Sequence, residues 1–246
     1  MHIYIITGGR VENDFALSYM KKQQPDCIIA ADSGLTACYQ MEITPDHIFG
    51  DFDSVEPTVL DDYKTRVPER IKQFPTRKDE TDTELALREA IEIVKRSDEA
   101  FCGKHNNQCN DHIITILGGT GTRLDHILGN IQLLKLALDH GVACHIVDAH
   151  NRIRMLNNTF SIQKDEQFGK YVSFLPFTER VEGITLKGFE YDVEDWTMES
   201  GIARGVSNEI KEKIAEVSIK KGILLMIESR DTAQDTKMAD RPTSNV

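Results

Sequence analysis

Two carboxylates flank a single aromatic residue in Gly50-Asp51-Phe52-Asp53-Ser54, directly after the approach from Pro45 to Phe49. On an extended backbone, a period of two puts Asp51 and Asp53 on one face and Phe52 on the other. Like charges that close repel unless a proton, a cation or a basic side chain offsets them, so the pair reads as half of a Mg²⁺ site. The competing reading is a turn in which Asp and Ser cap backbone groups.

Other groups fit the same chemistry. Asp32 follows the apolar run Cys27–Ala31, and a carboxylate at the C-terminal end of a parallel strand stands where open α/β sheets bind ligands. Thr7-Gly8-Gly9-Arg10, after Ile3–Ile6, reads as a tight turn able to bring N–H groups and a guanidinium to a phosphate, or as a plain strand-ending turn. Arg77, Lys78, Asp79 and Asp82 crowd the approach to a helix. Capping and dipole compensation explain the two carboxylates there; the sharper reading has the cluster face Asp51 and Asp53 across a cleft, around a metal–polyphosphate complex. A third strand, His112–Leu117, ends in Gly118-Gly119-Thr120-Gly121-Thr122-Arg123-Leu124-Asp125-His126. Its glycines match neither G-x-G-x-x-G nor the P-loop, yet the loop could place backbone donors beside a phosphate, with Arg123 giving bidentate contacts and Asp125 a further acceptor.

The elements that must position these residues follow from periodicity. Thr81 to Glu84 has capping-box spacing, and Leu87, Ala90, Ile91 and Val94 form the stripe of an amphipathic helix. A second helix runs from Ile127 through Ile131, Leu134 and Leu138, and strand Cys144–Val147 closes an α/β half with a mostly parallel sheet. After Asp148 the period changes: Tyr171–Leu175, Val181–Leu186, Ile214–Ile219 and Ile223–Ile227 read as strands of an antiparallel sandwich or barrel. The expected organisation is an α/β N-terminal domain over 1–148, an all-β C-terminal sandwich over 149–228, and a polar tail over 229–246. Residues 97–111 read as a polar insert in which Cys102, His105, Cys109 and His112 have zinc-ligand types, though their central spacing is too short for common zinc modules and a solvated loop is the plainer reading. Trp196, the sole tryptophan, reads as core or interface packing, with stacking on a planar cationic ligand as the alternative.

A net charge of −11 over 246 residues argues against nucleic acid or anionic membranes as partners, since both demand a basic surface. An anionic substrate would need a local cation. The first apolar run is strand-length and lacks the flank and cleavage site of a signal peptide, and no stretch approaches a transmembrane length. Five cysteines without a framework fit a reducing cytoplasm.

Taken together, these motifs resemble the thiamine pyrophosphokinase (thiamine diphosphokinase) family in collinear order. The resemblance runs from Asp32-Ser33-Gly34 through Gly50–Ser54, Lys78–Asp82 with Glu84–Leu87, and Gly121–His126 to Ser207-Asn208-Glu209. It implies an α/β catalytic domain, a β-sandwich for thiamine binding and dimerisation, and a homodimer with active sites between subunits. It also implies the reaction: ATP and thiamine give AMP and thiamine diphosphate, with Mg²⁺. By the same resemblance Asp51, Asp53 and Asp82 organise metal and polyphosphate, with Asp79 in their motif; Asp32, Lys78, Arg123 and Asp125 attend ATP; and Ser207 and Asn208 attend thiamine, while Trp196 joins them as a thiamine candidate on its ring chemistry and not on the motif. Two alternatives are a Mg²⁺-dependent nucleotide phosphohydrolase and a non-catalytic nucleotide or thiamine sensor.

Overall fold

A computed structural model describes residues 1–75, 79–102 and 112–231. The chain divides into two units, Met1–Ala149 and the residues from His150 on. No helix among the described residues is long and apolar enough to cross a membrane.

The first unit alternates strands β1 (His2–Ile6), β2 (Cys27–Ala31), β3 (His47–Gly50), β4 (Ile71–Gln73), β5 (Ile113–Leu117) and β6 (Ala143–Val147) with helices α1 (Asn13–Gln23), α2 (Gly34–Gln40), α3 (Pro57–Arg66), α4 (Asp82–Cys102) and α5 (Leu124–Asp139). The strands are parallel, in the order β6-β5-β1-β2-β3-β4. A parallel strand covered on both faces needs a continuous apolar run, and Ile3 to Ile6 are fully buried. From β1 the chain moves one way across the sheet and from β5 the other, so the crevice beyond their C-terminal ends is a topological switch point, where such sheets bind ligands.

The expected stripe of α4 is buried: Leu87, Ala90, Ile91 and Val94 are at most 3% exposed. Half of the expected capping box forms. Thr81 Oγ1 accepts the Glu84 N–H at 3.1 Å, while the Glu84 carboxylate turns to Arg88 one turn on. The helix also continues through Ser97 to Cys102, into the stretch read as an insert, because Asp98, Glu99 and Ala100 do not oppose a helix already under way. Cys102 has no described side chain, and His105 and Cys109 lie outside the described residues. His112 Nε2 pairs with Asp98 Oδ1 at 2.7 Å. The stretch expected to be merely polar before Arg70 holds α3, begun by Pro57 at its first turn and buried through Val59 and Tyr63.

The second unit is a sandwich of two antiparallel sheets. One has the order β12 (Asn208–Glu209), β9 (Tyr171–Pro176), β14 (Leu224–Ser229), β7 (Asn151–Leu156); the other has β11 (Val193–Glu199), β10 (Arg180–Lys187), β13 (Ile214–Ser218), β8 (Phe160–Gln163). Inward residues from both, among them Phe174, Met226, Ile184 and Val217, share one core. The register of β10 against β11 shifts near Gly183, whose φ of 68° and closeness to Lys220 suit a residue without Cβ. Sequence periodicity did not single out β7, β8, β11 or β12, which are short or dense in charge. β14 runs through Ser229; the expected tail from residue 232 on lies outside the described residues.

Candidate active site

The two glycine turns of the first unit form one structure. The Thr7, Gly9 and Arg10 N–H groups donate to the Leu117, Gly118 and Thr120 carbonyls at 2.9, 3.0 and 3.0 Å. A Cβ on Gly9 would overlap the carbonyl oxygens of Gly118 and Thr120, so the close approach requires glycine there. The buried Thr7 and Thr83 hydroxyls bond at 2.6 Å and tie the first turn to the start of α4. Between these loops lies a cleft of about 570 Å³, reached by Arg10, Asp32, Asp82, Arg123 and His126.

At its acidic side, Asp32, Asp51 and Asp53 each bring a carboxylate oxygen within 4.8 Å of the others. The means differs from strand alternation. Phe52 has φ 63° and its side chain is buried, while Asp51 Oδ1 accepts the Asp53 N–H at 3.1 Å, so a left-handed kink presents both carboxylates together. Asp32 is also left-handed, at φ 46°. Backbone strain of this kind, worth roughly 1–3 kcal/mol per residue, concentrates at functional sites; Asp tolerates it better than Phe. Asp32 Oδ1 is buried with no hydrogen-bond partner among the described residues. Burial pushes the Asp32 carboxyl up, opposed by the Ser33 N–H, and the charges of Asp82, Asp51 and Asp53 push it further.

Asp82 stands as the first residue of α4, half-buried and close enough to act on Asp32, whereas the group within 4.8 Å is completed by Asp32. Asp79 is exposed in the bend ahead of α4. Arg77 and Lys78 lie outside the described residues. Arg123 and Asp125 are exposed and pair with each other, Nη2 to Oδ2 at 2.5 Å, which raises the guanidinium pKa and lowers the carboxyl pKa. Arg123 lines the cleft.

In the second unit a separate cleft of about 650 Å³ is lined by Trp196, Tyr191, Glu194, Asp195, Arg204 and Asn208, among others. Trp196 packs partly on the sandwich core, as the first sequence reading expects, and also lines the cleft. Asn208 is buried and committed to backbone, since its Oδ1 accepts the N–H groups of Tyr191 at 3.0 Å and Glu209 at 2.9 Å and its Nδ2 donates to Tyr191 O at 2.9 Å. Ser207 is exposed at φ 61°, with its N–H on Ser173 Oγ at 3.0 Å.

Sequence reasoning missed the Thr7–Thr83 pair, His126 as a cleft residue, and Asn130, whose Nδ2 donates to Gly119 O at 2.8 Å. A signal existed for the last two. His126 and Asn130 fall three and seven residues after Arg123, on one helical face, and Asn130 is a polar residue among Ile127, Ile131 and Leu134.

Residues 19–146 match the family model for the thiamin pyrophosphokinase catalytic domain, and residues 157–224 match that for the thiamin pyrophosphokinase vitamin B1 binding domain. A thiamine pyrophosphokinase of Bacillus subtilis (strain 168) is 35% identical over 204 residues, covering 82% of this chain and 87% of that protein. A crystal structure of the thiamine pyrophosphokinase from Bacillus subtilis aligns with TM-score 0.78 at 31% identity, over 94% of this chain and 100% of the other. One from Geobacillus thermodenitrificans aligns with TM-score 0.73 at 28% identity, over 95% and 99%. With both domain models matched in order and a relative this similar across most of its length, the chain belongs to the thiamine pyrophosphokinase family.

Proposed function

We propose that the chain binds ATP with Mg²⁺ in the cleft of its first unit and transfers the pyrophosphoryl group to the hydroxyl of thiamine, releasing AMP. The observation that carries the site assignment is the meeting of Asp32, Asp51 and Asp53 within 4.8 Å beside a cleft built from two glycine turns.

The donor set fits Mg²⁺. The ion takes hard oxygen ligands, and here three carboxylates repel one another while the buried Asp32 Oδ1 lacks a partner among the described residues. Asp32, Asp51 and Asp53 would hold the metal, with Asp82 adding charge beside them. Bound there, Mg²⁺ would offset the negative charge of the polyphosphate. The chain's own residues do the rest. The Thr7, Gly9 and Arg10 N–H groups are held by the loop after β5, so it is that loop which offers N–H groups to phosphate oxygens, and Arg123 turns part of its fork from Asp125 to the same anion. Held in line, the thiamine oxygen forms a bond to the β-phosphorus as the bond from that phosphorus to the AMP oxygen breaks. The hydroxyl proton passes to a carboxylate, Asp82 or Asp79.

The cleft of the second unit suits thiamine, an aromatic cation. Trp196 offers a stacking face, and Glu194 and Asp195 offer negative charge, although Asp195 already pairs with Lys220 at 2.7 Å. Asn208 then acts by holding the Tyr191 segment of the rim, and Ser207 lies exposed beside it. We also infer a homodimer: Leu124 and Leu128 of α5 are 65% and 53% exposed next to Arg123, an apolar surface suited to a second copy. Leu128→Glu should lower the sedimenting mass if that face is the interface. The buried free thiols of Cys27, Cys38 and Cys144 accord with a cytoplasmic location.

The direct test is AMP formation from ATP and Mg²⁺ with and without thiamine. The proposal requires AMP to appear in step with thiamine diphosphate and only when thiamine is present. AMP or phosphate released equally without thiamine would make the protein a phosphohydrolase, and saturable binding without turnover would make it a sensor.

A further inference from the structure

The loop after β5 carries an arrangement that the reaction outline above leaves unused. Four successive carbonyls, those of Leu117, Gly118, Gly119 and Thr120, are all engaged as acceptors. Three are taken by backbone N–H groups of the β1 turn, which no side-chain substitution removes. The Gly119 carbonyl is held by a side chain, the Asn130 amide of α5, at 2.8 Å. A carbonyl acceptor requires the amide nitrogen to face it, which fixes the orientation of Asn130.

The arrangement has an electrostatic consequence. A backbone loop attracts an anion only through its N–H groups, and a carbonyl turned into the cleft would set the negative end of a peptide dipole against the polyphosphate. Glycine accepts either sign of φ, so the peptides around Gly119 are the ones most free to turn. Asn130 and Gly119 both line the cleft, and Asn130 shares its helix with Arg123 at the helix entrance.

We propose that Asn130 is a positioning residue: its amide engages the Gly119 carbonyl as an acceptor and so keeps the loop in the orientation that receives the ATP polyphosphate. The inference rests on the reading of this cleft as the ATP site. It assigns Asn130 no contact with thiamine and no part in proton transfer.

Two nearly isosteric substitutions test it, Asn130→Leu, which keeps the bulk and loses the donor, and Asn130→Asp, whose carboxylate only accepts and so opposes the carbonyl. Steady-state kinetics at neutral pH should show KM for ATP rising about tenfold in the Leu variant, the scale of one hydrogen bond, and further in the Asp variant. KM for thiamine should stay near that of the wild type, whatever small drop in thermal midpoint the lost hydrogen bond brings. An ATP KM within twofold of wild type in the Leu variant would overturn the assignment. So would parallel rises in both KM values with a lowered thermal midpoint, because that pattern marks a merely structural role. Wild-type turnover that saturates in ATP is the standard for comparison. Its absence would overturn the functional reading and this inference with it, whereas normal wild-type saturation beside an unchanged Leu variant overturns the loop assignment alone.

Discussion

Asp32 and Asp51 stand at the ends of adjacent parallel strands, with carboxylate oxygens within 4.8 Å of each other. The backbone enforces this closeness: the Asp32 N–H donates to Phe49 O at 2.7 Å, and a Cβ on Gly50 would sit 3.0 Å from Asp32 Cα. The fold thus holds like charges together at a left-handed residue, an arrangement that a bound cation stabilises.

Replacing Asp53 by Asn removes one charge of the three without changing shape. Thiamine-dependent AMP release should fall by at least about 100-fold, the upper range for disturbing a metal site's supporting shell. Circular dichroism should stay unchanged. Near-normal turnover would remove Asp53 from the metal site.

Asp32→Asn should separate stability from activity. In the metal-free protein the Asp32 carboxyl is raised, by burial first and then by its acidic neighbours. The folded state therefore holds this proton more tightly than the unfolded chain, so the group's contribution is present at low pH and is lost as pH rises through its folded pKa. At neutral pH the neutral amide relieves that cost. Thermal melts without metal should show a higher midpoint than wild type, by about 2–4 °C if the relief is about 1 kcal/mol, while activity is lost. A lower midpoint at neutral pH would contradict the electrostatic account.

The same raised carboxyl makes metal binding compete with a proton. The Mg²⁺ concentration for half-maximal activity should increase as pH falls, by up to about tenfold per unit below the Asp32 pKa for one competing proton. Excess chelator should abolish turnover, and added Mg²⁺ should restore it. A half-saturating concentration that does not change across the acidic range would exclude Asp32 as a ligand.

Because Trp196 is the sole tryptophan, its emission reports on its own cleft. Thiamine should quench it saturably. Trp196→Ala should raise the thiamine KM about tenfold, as expected for losing roughly 1–2 kcal/mol of stacking on a cation, and leave the ATP KM unchanged. Equal changes in both constants would count against the assignment.

Asn208 should behave as a structural residue first. Its side chain makes three hydrogen bonds to backbone of Tyr191 and Glu209, so Asn208→Ala should cost about 1–3 kcal/mol through unsatisfied buried groups. Urea unfolding measures this. An unchanged midpoint with a raised thiamine KM would indicate direct ligand contact instead.

Much of this was legible in the sequence because parallel strands buried on both faces must be apolar throughout, as in Ile3–Ile6, and because glycine turns punctuate their ends. The α4 stripe was equally plain. The mode of presenting Asp51 and Asp53 was not legible: alternation predicted a shared face, but the burial of Phe52 imposes a left-handed kink that no local pattern encodes. Asp32 drew notice as a strand end; its place beside Asp51 and Asp53 depends on β2 and β3 being neighbours, a tertiary fact. Strands such as β11, with the sequence Val193-Glu194-Asp195-Trp196-Thr197-Met198-Glu199, hide because adjacent charged residues, Glu194 and Asp195, break the apolar alternation.

The central claim is transfer of an intact pyrophosphoryl group, and ATP labelled with ³²P at the β-phosphate tests it most directly. Incubated with the protein, Mg²⁺ and thiamine, the label should appear in thiamine diphosphate while the AMP formed carries none. Label recovered in free pyrophosphate or phosphate, with thiamine unmodified, would contradict the account.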